Sequence, residues 1–233
     1  MMPRIAGTDG CPSRWLCIEQ GEDGVLRPRL HRTTVELLAY ASSTEVLTVD
    51  IPIGLADDGP RRVDTLARHL IGPRASSVFP APVRAALEGV TYLDACARSA
   101  AACGKRLSKQ AFAILPKICE MDEGLRTDSS LREQVREVHP EVCFYFLNGE
   151  QPMAHPKKSG QGYRDRHQLI ESHFGAVVAD LRSQVARRDA TDDDLLDALV
   201  ALWSAQRVHS GRHVCLPPNP PRDRFGLRME MVA

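Results

Sequence analysis

Arg4-Ile-Ala-Gly-Thr-Asp-Gly10 is a short, mostly apolar run that ends in an acid and a glycine. Such a run, closed by turn residues, predicts a β-strand. Residues 15–20 form a second run across a short turn, and residues 25–32 form a third after a Gly-rich turn. The three runs predict an antiparallel meander, and Pro28 suits the third strand to the edge of the sheet because proline has no N–H to donate.

The next segment extends the sheet through a helix. Residues 33–42 predict a short helix, with Glu36 spaced from Thr33 as in a capping box. The β-branched run Glu45-Val-Leu-Thr-Val-Asp-Ile51 follows, and Pro52 stops it. Since a strand reached through a crossover helix lies parallel to a neighbour, the sheet is expected to be mixed.

The rest of the chain predicts an α/β fold with a helical insertion. Prolines punctuate helical segments over residues 60–137, strand character returns at residues 142–147, and residues 192–208 carry the strongest helical pattern. We expect a mixed five-stranded sheet flanked by helices in a single domain of residues 1–216. The proline-rich tail, residues 217–233, is expected to run extended along the surface.

The composition is that of an ordinary globular protein. The 233 residues are 43% hydrophobic and 26% charged, with 30 basic residues against 30 acidic ones. Zero net charge disfavours a protein that coats nucleic acid or an anionic membrane with its whole surface. Seven cysteines without a C-x-x-C pair argue against a disulfide framework or a zinc ribbon. No run is apolar enough for a membrane span or a secretory leader, so we expect a cytoplasmic protein with no membrane partner.

Four aspartates lie at the ends of predicted elements or on the strongest helix. Asp9 ends the first strand, Asp50 ends the fourth, and Asp194 and Asp197 share one face of the last helix. Asp9 is also a common turn residue, and Asp194 also favours the helix dipole, whereas Asp197 borders the apolar stripe, where an unpaired carboxylate is costly. Clustered carboxylates need a cation, and oxygen ligands suit Mg²⁺ or Mn²⁺. Because two such ions about 4 Å apart support phosphodiester cleavage, the pattern indicates metal-assisted phosphoryl transfer.

The order of these acids resembles the RNase H-like superfamily, and Asp194-x-x-Asp197-Ala-Leu is similar to the last motif of the Holliday-junction resolvases. More narrowly, the chain resembles the bacterial and archaeal family described as predicted RNase H-like nucleases. The matching segments are Gly7-Thr8-Asp9-Gly10-Cys11, Val49-Asp50-Ile51-Pro52-Ile53-Gly54-Leu55, Arg61-x-x-Asp64-x-x-x-Arg68, Ser76-Ser77-Val78-Phe79, Pro116-Lys117-Ile118-x-Glu120-x-Asp122, His139-Pro140-Glu141-Val142 and the segment from Asp194 to Leu199. The resemblance implies an RNase H-like fold. One departure is Arg14, where many members carry Gly before the tryptophan, and it bears on how open the approach to Asp9 is.

Further residues have two interpretations each. Arg61 and Arg68 share a predicted helix face with Asp64, which fits either two phosphate contacts or a salt-bridged surface. Glu141 fits either a supporting acid of the site or a solvated strand start, and His139 fits a structural histidine better than a ligand.

Two basic groups also have alternatives. Lys117 and Glu120 fit a surface ion pair, although their segment is one of those that match the family. The basic loop that holds Lys157 fits either a loop that closes on substrate or a merely solvated one.

The sequence predicts a divalent-metal-dependent nuclease that acts on nucleic acid. Its metal ligands would be Asp9, Asp50, Asp194 and Asp197, with Glu141 as a further catalytic acid and Arg61 and Arg68 as phosphate contacts. The alternative is a non-catalytic nucleic-acid or protein binding module on the same fold, and convergence of the carboxylates separates the two. DNA and RNA both remain open as substrates, and a homodimer would suit a branched one.

Overall fold

The computed structural model describes residues 2–233, and its sheet begins with the predicted meander. Strand β1 (Ile5–Cys11) pairs antiparallel with β2 (Arg14–Gln20), which pairs antiparallel with β3 (Leu26–His31). Pro28 lies opposite Ile18 on β3, the outermost strand. Proline therefore occupies an edge strand, as predicted, where only one side of the strand is paired.

A helix then carries the chain to the other side of β1. Helix α1 (Thr34–Ala41) is capped by Thr33, whose hydroxyl accepts the Glu36 N–H at 3.1 Å. Strand β4 (Val46–Val49) lies parallel to β1, and β5 (Val135–Glu137) lies parallel to β4. The strand order is β3-β2-β1-β4-β5, which confirms a mixed five-stranded sheet.

The predicted fifth strand is wrong in its position. Residues 142–147 belong to helix α7 (Pro140–Leu147), and the fifth strand is the three-residue β5 just before it. Pro140 favours the first turn of a helix, and His139 caps it by accepting the Glu141 N–H on Nδ1 at 3.2 Å. A short, continuous apolar run fits a buried helix as well as a buried strand, so its pattern did not distinguish the two.

Five helices and two 3-10 turns lie between β4 and β5. They are α2 (Arg62–Leu70), 3-10 turns at Gly72–Ser77 and Arg84–Glu88, α3 (Tyr92–Cys103), α4 (Lys109–Ala113), α5 (Leu115–Thr127) and α6 (Leu131–Gln134). Part of this segment builds a small apolar core of its own from Val83, Ala86, Ala95, Cys96, Leu107, Ala111 and Leu115. The segment is helical, as predicted, and it forms one wall of the cleft described below.

The last helices cover the sheet. Helix α8 (Gly160–Phe174) and α9 (Val178–Ser183) precede α10 (Asp192–His209), which packs across β1 and β4. A Cβ on Gly7 would lie 1.9 Å from the backbone nitrogen of Leu202, so only glycine permits this close approach. The Thr48 hydroxyl donates to the Ala201 carbonyl at 2.7 Å. The backbones of β1 and α10 are therefore in direct contact at Gly7, and Thr48 ties β4 to the same helix.

The tail does not run extended along the surface. It leaves through β6 (Cys215–Leu216) and returns as β7 (Met231–Val232), which pairs antiparallel with β6. Leu227 and Met231 are buried on the return leg, and Asp223 forms an ion pair with the buried Arg84. Pro217 is buried on the outgoing leg, and the apolar residues of the return leg pack on the body of the fold. Among residues 2–233, no helix is long and apolar enough to cross a bilayer.

Candidate active site

Two neighbouring strands bring Asp9 and Asp50 to the same edge of the sheet. Asp9 lies near the end of β1 and is 6% exposed, and Asp50 directly follows β4. The Asp50 N–H donates to the Thr8 carbonyl at 3.0 Å, which continues the parallel ladder up to the two acids. The two carboxyl groups are close enough for each to influence the pKa of the other. The predicted meeting of these two acids therefore follows from the pairing of β1 with β4.

Helix α10 supplies the other two predicted acids, with different surroundings. Asp194 accepts the Thr191 N–H at 2.7 Å and completes a capping box, so one of its oxygens is used by the helix start. Asp197 lies one turn further on and is 3% exposed, and it accepts a hydrogen bond from Lys157 Nζ at 2.6 Å. The helix thus contributes one half-buried acid, Asp194, which also caps the helix, and one buried acid, Asp197, which is paired with Lys157.

Asp9, Asp50 and Asp197 hold their protons more tightly than an ordinary aspartate. Burial, together with the charges of Asp197, Asp50 and Asp194, raises the pKa of Asp9 well above its ordinary range. Burial also raises the pKa of Asp50, and it raises that of Asp197 to about 6 even though Lys157 works in the opposite direction. Proximity of like charges and removal from water are the two physical causes, and both describe a site short of positive charge.

The donor atoms and charges of the acidic cluster bear on whether it fits a metal ion. Within residues 2–233, no three or more His, Cys, Asp and Glu side chains form an assembled metal site. The ammonium of Lys157 already neutralises Asp197. Asp9, in contrast, forms no ion pair with any residue from 2 to 233 although it is buried. In donor type and in charge the three buried or half-buried carboxylates suit a hard divalent cation.

A cleft of about 560 Å³ opens beside the acids. Its lining includes Asp9, Asp50 and Asp194 together with residues of α4, α5 and the segment before them. Most of the lining is apolar, including Pro12, Trp15, Pro52, Phe79 and Ile114. Ligand sites commonly combine an apolar cavity of this size with a few convergent polar groups.

Lys117 reaches this cleft from α5 and does not form the expected surface ion pair with Glu120. Its ammonium donates to the Cys11 carbonyl at 2.5 Å and to the Arg14 carbonyl at 2.9 Å. It also lies 4.4 Å from the centre of the Trp15 ring. These contacts hold a positive charge beside the turn that follows Asp9, and burial lowers the pKa of this amine.

The structure does not support Arg61 and Arg68 as a pair of exposed phosphate contacts. Arg61 precedes α2, is 2% exposed, and its guanidinium donates to Asp64 at 2.6 Å and to Glu137 at 2.7 Å. Arg68 is half-buried and donates to the carbonyls of Ala75 and Val78. The i, i+7 spacing predicted a shared face, but Arg61 lies outside the helix and its hydrogen bonds are used internally.

Glu141 is likewise occupied by a structural pair. Both of its oxygens accept from Arg166 Nη2, at 2.7 and 2.8 Å, and both residues are buried. The Arg166 guanidinium also donates to the His155 carbonyl at 3.1 Å and to the Gly162 carbonyl at 2.9 Å. This pair therefore anchors the loop that carries Lys157. His139, which caps α7, lines the cleft next to Asp50.

The sequence left the importance of Lys157 and Glu137 undetermined. Lys157 was one of several basic residues in a loop, and only the fold shows that this one reaches Asp197. Glu137 lies in the unrecognised strand β5, where its carboxylate accepts the Ile53 N–H at 2.6 Å as well as the Arg61 guanidinium. A glutamate at the end of a short strand gives no pattern that identifies it in advance.

The fold and site define an α/β protein with an acidic cluster where two parallel strands meet a long helix, and the sheet is compatible with the RNase H-like superfamily. The chain matches the family described as a protein of unknown function (DUF429) over residues 7–222, and it belongs to that family. The match spans all four aspartates of the cluster. Neither the curated proteins nor the solved structures contain a match to this chain.

Proposed function

We propose that this protein is a divalent-metal-dependent nuclease that hydrolyses phosphodiester bonds in nucleic acid. The observation that carries the proposal is the buried carboxylate of Asp9, which has no cationic partner among residues 2–233 and lies against two further acids. A buried carboxyl without an ion-pair partner either keeps its proton, as the raised pKa of Asp9 indicates, or loses it to a bound cation, which would remove the cost of the buried charge. Active sites are where such unfavourable groupings of acids occur.

Buried acids elsewhere in the fold give the contrast. Each of them has an arginine partner: Glu19 with Arg29, Asp64 and Glu137 with Arg61, Asp122 and Asp223 with Arg84, Glu141 with Arg166, and Glu230 with Arg136. Asp197 has Lys157, which is 41% exposed along its side chain. The fold therefore pairs buried carboxylates consistently except at Asp9.

Asp9, Asp50 and Asp197 would hold the Mg²⁺ or Mn²⁺, and Asp194 would contribute from the rim. When bound, such an ion activates a water molecule and stabilises the leaving oxygen of the phosphodiester. Lys157 would leave Asp197 and present its ammonium to a substrate phosphate, because its side chain already reaches solvent. Lys117 would add a second positive charge on the cleft wall.

A non-catalytic binding module on the same fold is the second candidate. The ion pair between Lys157 and Asp197 favours it, because a resident ammonium supplies part of the positive charge that a metal ion would supply. In that case the cleft would bind its ligand without cleaving it, and divalent ions would change neither binding nor stability.

A cleavage panel tests the proposal. Labelled single-stranded, duplex and branched DNA and RNA would be incubated with the protein in Mg²⁺, Mn²⁺ or EDTA. We expect cleavage that EDTA abolishes, and a loss of at least about a hundredfold in Asp9→Asn and Asp197→Asn. Asp58→Asn is the matched control, because Asp58 is exposed. Activity that survives both cluster substitutions would overturn the assigned site, and no cleavage of any substrate would overturn the nuclease in favour of the binding module.

A further inference from the structure

We propose that the apolar part of the cleft receives one unpaired nucleobase, so that the nuclease acts on nucleotides outside a double helix. This inference rests on the proposed function for the identity of the ligand, because the acids beside the cleft then take the phosphate. The assignment of a base as the ligand rests on the size and lining of the cleft. An acidic cluster that binds a phosphate through a metal ion does not need an apolar wall beside it, so the wall calls for a separate explanation.

The cleft has the size and lining that one base needs. Its volume of about 560 Å³ exceeds the minimum of ordinary ligand pockets, and its lining joins Asp9 and Asp50 directly to Pro12, Phe79 and Ile114. Phe79 is half-buried, so part of its ring is available for contact. A base stacks on aromatic and apolar side chains with little dependence on its identity.

The part of the cleft wall that contains Trp15 and Lys117 is held in a defined position. Trp15 is 1% exposed, and its indole N–H donates to the Thr34 hydroxyl at 3.2 Å. Lys117 lies over one face of this ring and is held by two carbonyl oxygens. The buried indole therefore fixes the position of the Lys117 ammonium, and the partly exposed Phe79 and Ile114 present the apolar contacts. A preorganised wall of this kind favours a flat ligand over a flexible chain.

Charge also favours an unpaired nucleotide over a duplex. The chain has no net charge, and the Arg61 and Arg68 guanidinium groups are used inside the fold. Duplex binding relies on many phosphate contacts, whereas a stacked base supplies affinity without them. Because a paired base is stacked within its helix, it must leave that helix to enter a cleft.

Calorimetric titration of the full chain in MgCl₂ tests the inference with two ligands that share a phosphate. Thymidine 5′-monophosphate carries a base, and ribose 5-phosphate does not. We expect the nucleotide to bind between about fivefold and a hundredfold more tightly, which is the range of one base–aromatic stack. Equal affinity of the two ligands, or no binding of either, would overturn the inference.

Variants then locate the base. Ala113 is exposed and lines the cleft, so Ala113→Trp should fill it without disturbing the core and should abolish the preference for the nucleotide. Ala101→Trp is the matched control on the exposed surface of α3, and it should keep the full preference. Phe79→Leu should lower the preference severalfold while keeping the site apolar. A preference unchanged in Ala113→Trp, whose folding circular dichroism verifies, would refute the assignment.

The two proposals fail separately. Cleavage of nucleic acid together with equal binding of the two ligands keeps the nuclease and removes the base site. Base-dependent binding without cleavage of any substrate keeps the base site and removes the nuclease.

Discussion

Replacing Asp197 with asparagine should stabilise the metal-free protein, because the buried carboxylate destabilises the fold when it is charged. The pKa of Asp197 rises from 3.8 to about 6, mainly through burial. The folded state therefore keeps a proton that the unfolded chain has released, and stability falls as the pH rises from about 4 to about 6. At 1.36 kcal/mol per pKa unit, the cost reaches about 3 kcal/mol above pH 7.

The ion pair with Lys157 opposes the effect of burial, because a nearby positive charge stabilises the charged carboxylate of Asp197. Asp197 raises the pKa of the Lys157 ammonium, which by itself describes a stabilising pair. Burial is the largest influence on Asp197, and Lys157 is 41% exposed, so water screens its contribution. Asparagine also keeps an oxygen that accepts from the ammonium. We therefore take about 3 kcal/mol as the upper limit of the gain.

Urea unfolding followed by tryptophan fluorescence measures this gain. Asp197→Asn should exceed the wild type by up to about 3 kcal/mol at pH 8 and by less than about 1 kcal/mol at pH 4, where the wild-type carboxyl is neutral. Mn²⁺ at a hundred times its Kd should return about 2.7 kcal/mol to the wild type alone. Asp58→Asn serves as the exposed control. An asparagine variant no more stable than the wild type at pH 8 would refute the reasoning.

Three further substitutions test the supports of the site. Lys157→Ala should tighten Mn²⁺ binding severalfold in calorimetry, because the ammonium no longer competes for its carboxylate; unchanged or weaker binding would contradict this. Glu141→Gln should cost about 3 to 5 kcal/mol in urea unfolding, because it leaves the Arg166 charge buried without its partner, and a cost below about 1 kcal/mol would show that the pair is dispensable. Gly7→Ala should cost about 3 kcal/mol or more, because the new Cβ overlaps the backbone of α10, whereas Gly10→Ala, with its nearest atom at 3.3 Å, should remain within about 1 kcal/mol.

The sheet could be predicted as far as local patterns determine it. Short apolar runs, turn residues and Pro28 on an edge gave the meander, and the crossover through α1 gave a parallel β4. Strand β5 has three residues, which is too short for a period of two to stand out, and its neighbour α7 is apolar on most sides. That is why the strand was placed in residues that form a helix.

The meeting of the acids could be predicted from the sequence, whereas the contacts of the basic residues could not. A carboxylate at the end of one parallel strand meets another at the end of its neighbour, so topology alone brought Asp9 and Asp50 together. No comparable rule predicts which partner a long basic side chain will reach. Lys157 crosses 40 positions of sequence to reach Asp197, and Arg61 turns inward to Glu137, because burial and partner availability decide their direction. Spacing along a helix predicts a shared face only for residues that lie in the helix.

The acidic cluster is unusual in this chain because the buried acids elsewhere are paired with basic residues. A neutral chain has enough arginines to pair its buried acids, and this one does so at every buried acid outside the cluster. Had Asp9 been structural, selection for stability would favour an arginine beside it or an uncharged residue in its place. A buried carboxylate kept without a partner, against two more acids and at the mouth of a cleft, is a standing cost to the fold. Such a cost is retained where a ligand removes it, and this is the reason for proposing a cation as the ligand of these carboxylates.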